Sequence, residues 1–163
     1  MPAVNLIKEI WDRQIKSRTC ADGSRQERYL KQDESVVPPI ASLESLIMSL
    51  LIDTYEERDV ATYSVPGAYL HAKLLPRANN ERVLMKLTSD FVDIMCKVIP
   101  EHTKNVTTEN GKKVLYLEIL RALCGCIESA LRWHELYSET LSKEGFVINQ
   151  YDKCVANKTI NGK

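Results

Sequence analysis

The residues of this chain with chemistry to offer are few and scattered. Cys124 and Cys126 flank Gly125, a spacing that serves metal ligation or thiol redox chemistry when partner ligands stand nearby. Cys20, Cys96 and Cys154 lie far off in sequence, no Cys-x-x-Cys pair occurs, and His71, His102 and His134 fall at no ligand spacing. The pair therefore reads as two small apolar side chains around a glycine. Lys16 and Arg18 alternate as on one face of a strand, where they meet phosphate or water. Trp133 and Tyr137 stand four apart, on one side of a helix, where they stack bases or fill a core. The last candidate is the tract 59–72, in which a β-type run reaches Ser64, breaks at Pro66-Gly67 and resumes as a small apolar patch holding Tyr69.

Composition sets the frame for these groups. The 163 residues are 44% hydrophobic and 27% charged, ordinary for one globular domain with a real core. Twenty-two basic and 22 acidic residues cancel, so there is no global signature for nucleic acid, and any phosphate-binding surface must be local. Lys16, Arg18, Arg25 and Arg28 are the local patch to expect. An odd count of five cysteines suits thiols, buried or half-buried, in a reducing compartment. The start of the chain lacks the apolar core of a signal peptide, and no apolar run approaches the roughly 20 residues of a membrane span. The expected location is intracellular, cytoplasmic or nuclear, with no membrane partner.

The elements that must position these groups follow from periodicity. Residues 6–15 suit a short helix or strand, and Asp22-Gly23 marks a turn. Ser42 is an N-cap for a helix to about Thr54, whose Leu43, Leu46, Ile47, Leu50 and Leu51 form the stripe of a core helix. Residues 58–64 and 83–87 read as strands, joined through a polar loop around Asn79-Asn80. A helix from Ser89-Asp90 turns Phe91, Val92, Met95, Cys96 and Ile99 inward and stops at Pro100. Asn110-Gly111 signals a hairpin into a strand at 114–117. A helix spans about Ile127 to Glu144 and ends at Gly145, and 146–148 and 154–156 are short strands. Irregular alternation of helix and strand predicts an α+β fold.

Four segments, in order, resemble one family, the reverse transcriptases of copia-type retrotransposons, which are RNA-directed DNA polymerases. Lys16-Ser17-Arg18-Thr19-Cys20-Ala21-Asp22-Gly23 is similar to their fingers segment Lys-Ala-Arg-Leu-Val-Ala-x-Gly. Ser64-Val65-Pro66-Gly67-Ala68-Tyr69-Leu70 resembles the palm segment Asp-(Ile/Val)-Pro-Gly-Ala-(Phe/Tyr)-Leu. Leu123-Cys124-Gly125-Cys126-Ile127-Glu128-Ser129 through Trp133 resembles the run Leu-Tyr-Gly-Leu-(Lys/Arg)-x-(Ser/Ala)-x-x-x-Trp. Gly145-Phe146 and Tyr151-Asp152-Lys153-Cys154-Val155 resemble the segment that precedes the family's catalytic hairpin.

The resemblance implies a fingers-like segment at 1–41 and a partial palm-like segment at 42–163, together one incomplete domain. It gives Lys16 and Arg18 to the phosphates of an incoming nucleotide and Tyr69 to its sugar. It gives the backbone carbonyl of Val65 to a Mg²⁺ ion. In the family that ion is shared with a palm aspartate and an Asp-Asp pair on the hairpin, and the partners are an RNA or DNA primer–template and a deoxynucleoside triphosphate. Here the palm position is Ser64, whose neutral hydroxyl is a poor magnesium ligand, and no Asp-Asp pair occurs anywhere. Asp59 is five residues upstream, about 16 Å away along an extended strand and on its other face, so it cannot substitute. Glu128 stands where the family has a basic or amide residue and would repel a template phosphate. Asn161-Gly162 makes a hairpin turn with one residue after it, as where a reading frame stops in mid-fold. The expectation is a degenerate fragment that is inactive by itself, folds poorly and binds no Mg²⁺. The alternative is a non-catalytic module of the same fold that binds nucleic acid or a protein.

Overall fold

A computed structural model describes residues 1–9, 11–24, 26, 37–74 and 82–160. The chain is mixed α+β. Its centre is an antiparallel sheet in the order β3 (Leu84–Thr88), β5 (Lys112–Glu118), β4 (Thr107–Glu109). The β4–β5 hairpin closes at Asn110 and Gly111, with φ of 50° and 74°, the two left-handed residues that a tight hairpin turn needs. Register places Met85 opposite Leu117 and Leu87 opposite Leu115 on one face. Across that face lies α3 (Asp90–Val98), whose Val92 is wholly buried against Met85, Leu87 and Leu115, with Met95 and Cys96 beside them. Burying each such side chain stabilises the fold by about 1.5–3 kcal/mol before conformational entropy is subtracted. Phe91 and Ile99 stay more exposed than their spacing suggests. A 3-10 helix at Pro100–Asn105 then leads into β4.

The opposite sheet face is polar. Lys86 donates to Glu109 at 2.5 Å and Tyr116 donates to the same carboxylate at 2.8 Å, which holds Glu109 below the usual carboxylate range. The free edge of β3 is taken by the chain's first residues: the Met1 ammonium donates to the Leu84 carbonyl, and the Lys86 N–H donates to the Met1 carbonyl. From there β1 (Ala3–Glu9) and β2 (Ile15–Ala21) form an antiparallel ribbon, so the segment 6–15 divides between two strands and their turn.

Three expectations need correction. Residues 58–65 form no strand, because a β-type sequence makes one only where a neighbour supplies ladder partners. The helix α1 (Leu43–Tyr55) forms where its cap predicts, with the Ser45 N–H donating to Ser42 Oγ, yet it buries none of its residues. Cys154 is exposed, whereas Cys126 is buried and Cys20, Cys96 and Cys124 are half-buried. The short pair β6 (Val147–Ile148) and β7 (Ala156–Asn157) replaces the 146–148 and 154–156 strands with a slight shift. Arg25, Arg28, Asn79-Asn80 and Asn161-Gly162 lie outside the described residues. No described helix is long and apolar enough to cross a membrane.

Candidate functional site

Three of the four sequence segments converge on the stretch 120–129 and its neighbours, and the fourth lies against the start of α1. The end of the ribbon arrives first: the Ala21 N–H donates to the Cys124 carbonyl at 2.8 Å, and the Asp22 N–H donates to the Pro2 carbonyl. This approach is so close that a methyl group on Gly125 would overlap the Ala21 carbonyl oxygen, and one on Gly23 would overlap the Gly125 carbonyl oxygen. Gly125 also sits at φ +93°, where side chains are strained. Next along the seam is Gln26, only 4% exposed. Its amide oxygen accepts from the Ile127 N–H at 3.1 Å and its amide nitrogen faces Glu128 at 3.4 Å.

Glu128 is therefore turned into the protein, between Gln26 and Arg132, and does not face an open template surface as its position in sequence suggests. The turn before α4 (Ser129–Lys143) is tied by Ser129, whose hydroxyl accepts from the Leu123 N–H and donates to the Leu123 carbonyl at 2.7 Å. That bond holds 127–128 in a turn and delays the helix by two residues.

The tract 59–74 joins the same stretch from the other side. Its short helix α2 (Ala68–His71) packs on α4. The Ala122 N–H donates to the Ala72 carbonyl and the Leu74 N–H to the Leu120 carbonyl, with Ala72 and Ala122 buried between them. Arg121 Nη1 donates to the His71 carbonyl at 3.0 Å. Aromatic rings continue the contact. Tyr63 and Tyr137 share a hydrogen bond, Tyr137 stacks on Trp133 at 5.5 Å, and His71 lies 6.3 Å from Trp133. The Tyr137 phenol is pushed up to about 12, first by the bond to Tyr63 and then by burial. Trp133 and Tyr137 thus serve packing between α4 and the 59–72 tract. Beside them a cleft of ≈ 300 Å³ is lined by His71, Lys73, Arg132, Glu135, Leu136 and Glu139.

The fourth segment caps α1. Asp152 accepts from the backbone N–H of Ser42 at 2.9 Å and of Cys154 at 2.9 Å. These bonds, with those of the Ser45 and Ser42 hydroxyls, hold its carboxyl below the ordinary range.

The residues chosen from sequence divide between two places. Lys16 and Arg18 lie exposed on β2, on the ribbon face that also carries Lys8 directly opposite Lys16. Ser64, exposed, and Val65 and Tyr69, half-buried, belong to the tract on α4. As a magnesium site the second group does not fit: Ser64 and the Val65 carbonyl are neutral oxygens, whereas such sites lean on carboxylates. Among the described residues no three His, Cys, Asp or Glu side chains come together as ligands. Gln26 and the contact between Cys20 and Cys124 carried no signal in sequence, since both depend on the ribbon's approach to Gly125. No family model, curated protein or solved structure matches this chain.

Proposed function

We propose that the chain is a degenerate fingers–palm unit of a copia-type reverse transcriptase, an RNA-directed DNA polymerase by descent that does not itself synthesise DNA. The observation that carries this reading is the convergence of three of the four segments. Stretches chosen for their resemblance to one polymerase family, up to about a hundred residues apart, meet through backbone hydrogen bonds at 21–124 and 72–122. Unrelated chance matches have no reason to be neighbours in space. Two features support the loss of activity. Ser64 offers no negative charge where the resemblance sets a metal-binding aspartate. The tract before it is not a sheet strand, so that position lacks the rigid support that phosphoryl transfer demands of its ligands.

A second reading, a non-catalytic nucleic-acid-binding module, draws on the ribbon. Lys8 opposite Lys16, with Arg18 two residues on, concentrates like charges that repel one another unless an anion lies across them.

Primer extension on an RNA template with Mg²⁺ tests the first reading, comparing the wild-type chain, Ser64→Asp, and Ser64→Asp bearing an appended hairpin with an acidic pair. The first two proteins are expected to extend nothing, because a single carboxylate does not fix two ions. Extension by the unaltered chain would overturn the proposal. In the same reactions, retention of the primer–template that weakens steeply with salt and with Lys16→Ala supports the binding module. Retention indifferent to salt rejects it.

A further inference from the structure

Cys20 and Cys124 stand about a hundred residues apart in sequence and side by side in the fold. The bond from the Ala21 N–H to the Cys124 carbonyl sets the two backbones next to each other. Cys20 thus lies beside Cys124, and burial, with that neighbouring thiol, pushes the Cys20 thiol up. Both residues are half-buried and both thiols are free. A disulfide needs α-carbons within about 4.4–6.8 Å and side chains that face each other, and the Ala21–Cys124 backbone bond brings the end of β2 against the Gly125 turn where these two residues sit. We propose that Cys20 and Cys124 are an oxidative cross-linking site, at which a peroxide joins the ribbon to the Gly125 turn and locks the seam.

The step balances without another cofactor. One thiolate attacks the peroxide oxygen, giving a sulfenic acid and one water. The second thiol then attacks the sulfenic sulfur, the S–S bond forms and a second water leaves. Two thiols and one hydrogen peroxide become one disulfide and two waters. Arg18 lies near enough to Cys20 to favour its thiolate, whereas burial and the neighbouring thiol act the other way and prevail. Oxidation therefore runs slowly at neutral pH and accelerates as pH rises, since only the thiolate attacks. Cys126 is buried, with its thiol held up by desolvation, and Cys154 is exposed on the far segment beside Asp152. Closing a loop of about a hundred residues removes much of the freedom of the unfolded chain, so the link is stabilising if the native geometry accepts it.

The experiment treats the reduced full chain with hydrogen peroxide at pH 7 and pH 9, traps remaining thiols and maps tryptic peptides. Trypsin releases Cys20 in the peptide 19–25, while 122–132 holds both Cys124 and Cys126, so the map is repeated on Cys126→Ser to separate them. The expected result is a mass loss of about 2 Da. Peptides 19–25 and 122–132 are joined in both proteins, faster at pH 9. Tm rises by about 5–10 °C and returns with dithiothreitol. Cys124→Ser is expected to abolish the link and the rise. Peptides joined through any other cysteine, Cys20 recovered as a sulfinic or sulfonic acid, or a link without a rise in Tm would each overturn the proposal. Fragmentation of the joined wild-type peptide between Cys124 and Cys126 assigns the link even if a variant fails to fold.

Discussion

The seam, where the end of the ribbon meets 120–129, is of ordinary apolar content and the helix α1 is rich in apolar residues, yet their apolar side chains end at opposite extremes of burial. Along the seam Ala21, Ala122 and Cys126 are nearly inaccessible, although none is large. On α1, Leu46, Ile47, Leu50 and Leu51 are each about half exposed or more, although all are large. The difference is not hydrophobicity. Seam residues are buried because backbones approach each other there, through small side chains and glycines, and hydrogen-bond directly. α1 carries the greater apolar surface, but it is anchored chiefly through its N-terminus, by Ser42 and Asp152, and no described element packs extensively along its side. Between these two regions, close backbone approach rather than apolar content separates the buried from the exposed.

Gly125→Ala breaks the comparison most severely. The new methyl group would overlap the Ala21 carbonyl, which is backbone on a paired strand and cannot move without opening the ribbon junction. The positive φ adds strain of its own. The expected loss is at least about 3 kcal/mol, from overpacking and strain together, read as a shifted urea midpoint. A loss below about 1 kcal/mol would mean that the seam is soft and that the contrast with α1 is false.

Asp152 tests the one described point where α1 is firmly held. Its folded pKa is lowered by the Ser42 and Cys154 N–H groups, so it binds its proton less readily when folded than when unfolded. The stabilising contribution is therefore fully present above the ordinary value of 3.8 and is lost as pH falls through the lower folded value. Asp152→Asn keeps the shape and removes the charge. The variant is expected to melt a few degrees lower at pH 7, and the gap to wild type should close progressively below pH ~4. A gap that persists unchanged in acid would mean that the carboxylate's charge does not hold the helix.

The sequence made the local elements readable where one residue type settles a backbone choice. Asn110-Gly111 accepts two left-handed positions, so the turn between β4 and β5 was legible, although β4 itself was not expected and β5 is longer than the 114–117 strand. Ser42 did the same for the start of α1. What remained illegible depends on a distant neighbour. The run 58–64 has strand composition and no strand partner, and the stripe on α1 shows that a face is apolar without showing what covers it. Gly125 read only as the glycine between two cysteines, and its function in admitting Ala21 exists only once the ribbon is in place. The direction of Glu128 was misread for the same reason, since Gln26, a hundred residues away, draws it inward. Of the site residues, the sequence located Ser64, Val65 and Tyr69 on a single tract and Lys16 and Arg18 on a single strand. It could not assign α4 as the support of the first group.

The smallest effect is the sharpest measure of the difference. Leu115→Ala removes a side chain with no exposure from the centre of the sheet and leaves a cavity, a change that costs about 2–5 kcal/mol in well-packed cores. Leu51→Ala removes the same atoms from a position 59% exposed. Little transfer energy is lost there because most of the side chain never left water, no cavity forms, and alanine is the slightly better helix former. The expected change in stability is within about 0.5 kcal/mol of zero, of either sign, in the same urea titration. Light scattering supplies an independent check, because an exposed leucine is a site of non-specific association and its loss should lower the aggregation rate. If Leu51→Ala instead costs as much as Leu115→Ala, and does so more at high protein concentration, α1 is covered in solution by a second molecule. The apolar helix would then belong to a buried interface, and its contrast with the seam would be one of intermolecular against intramolecular packing.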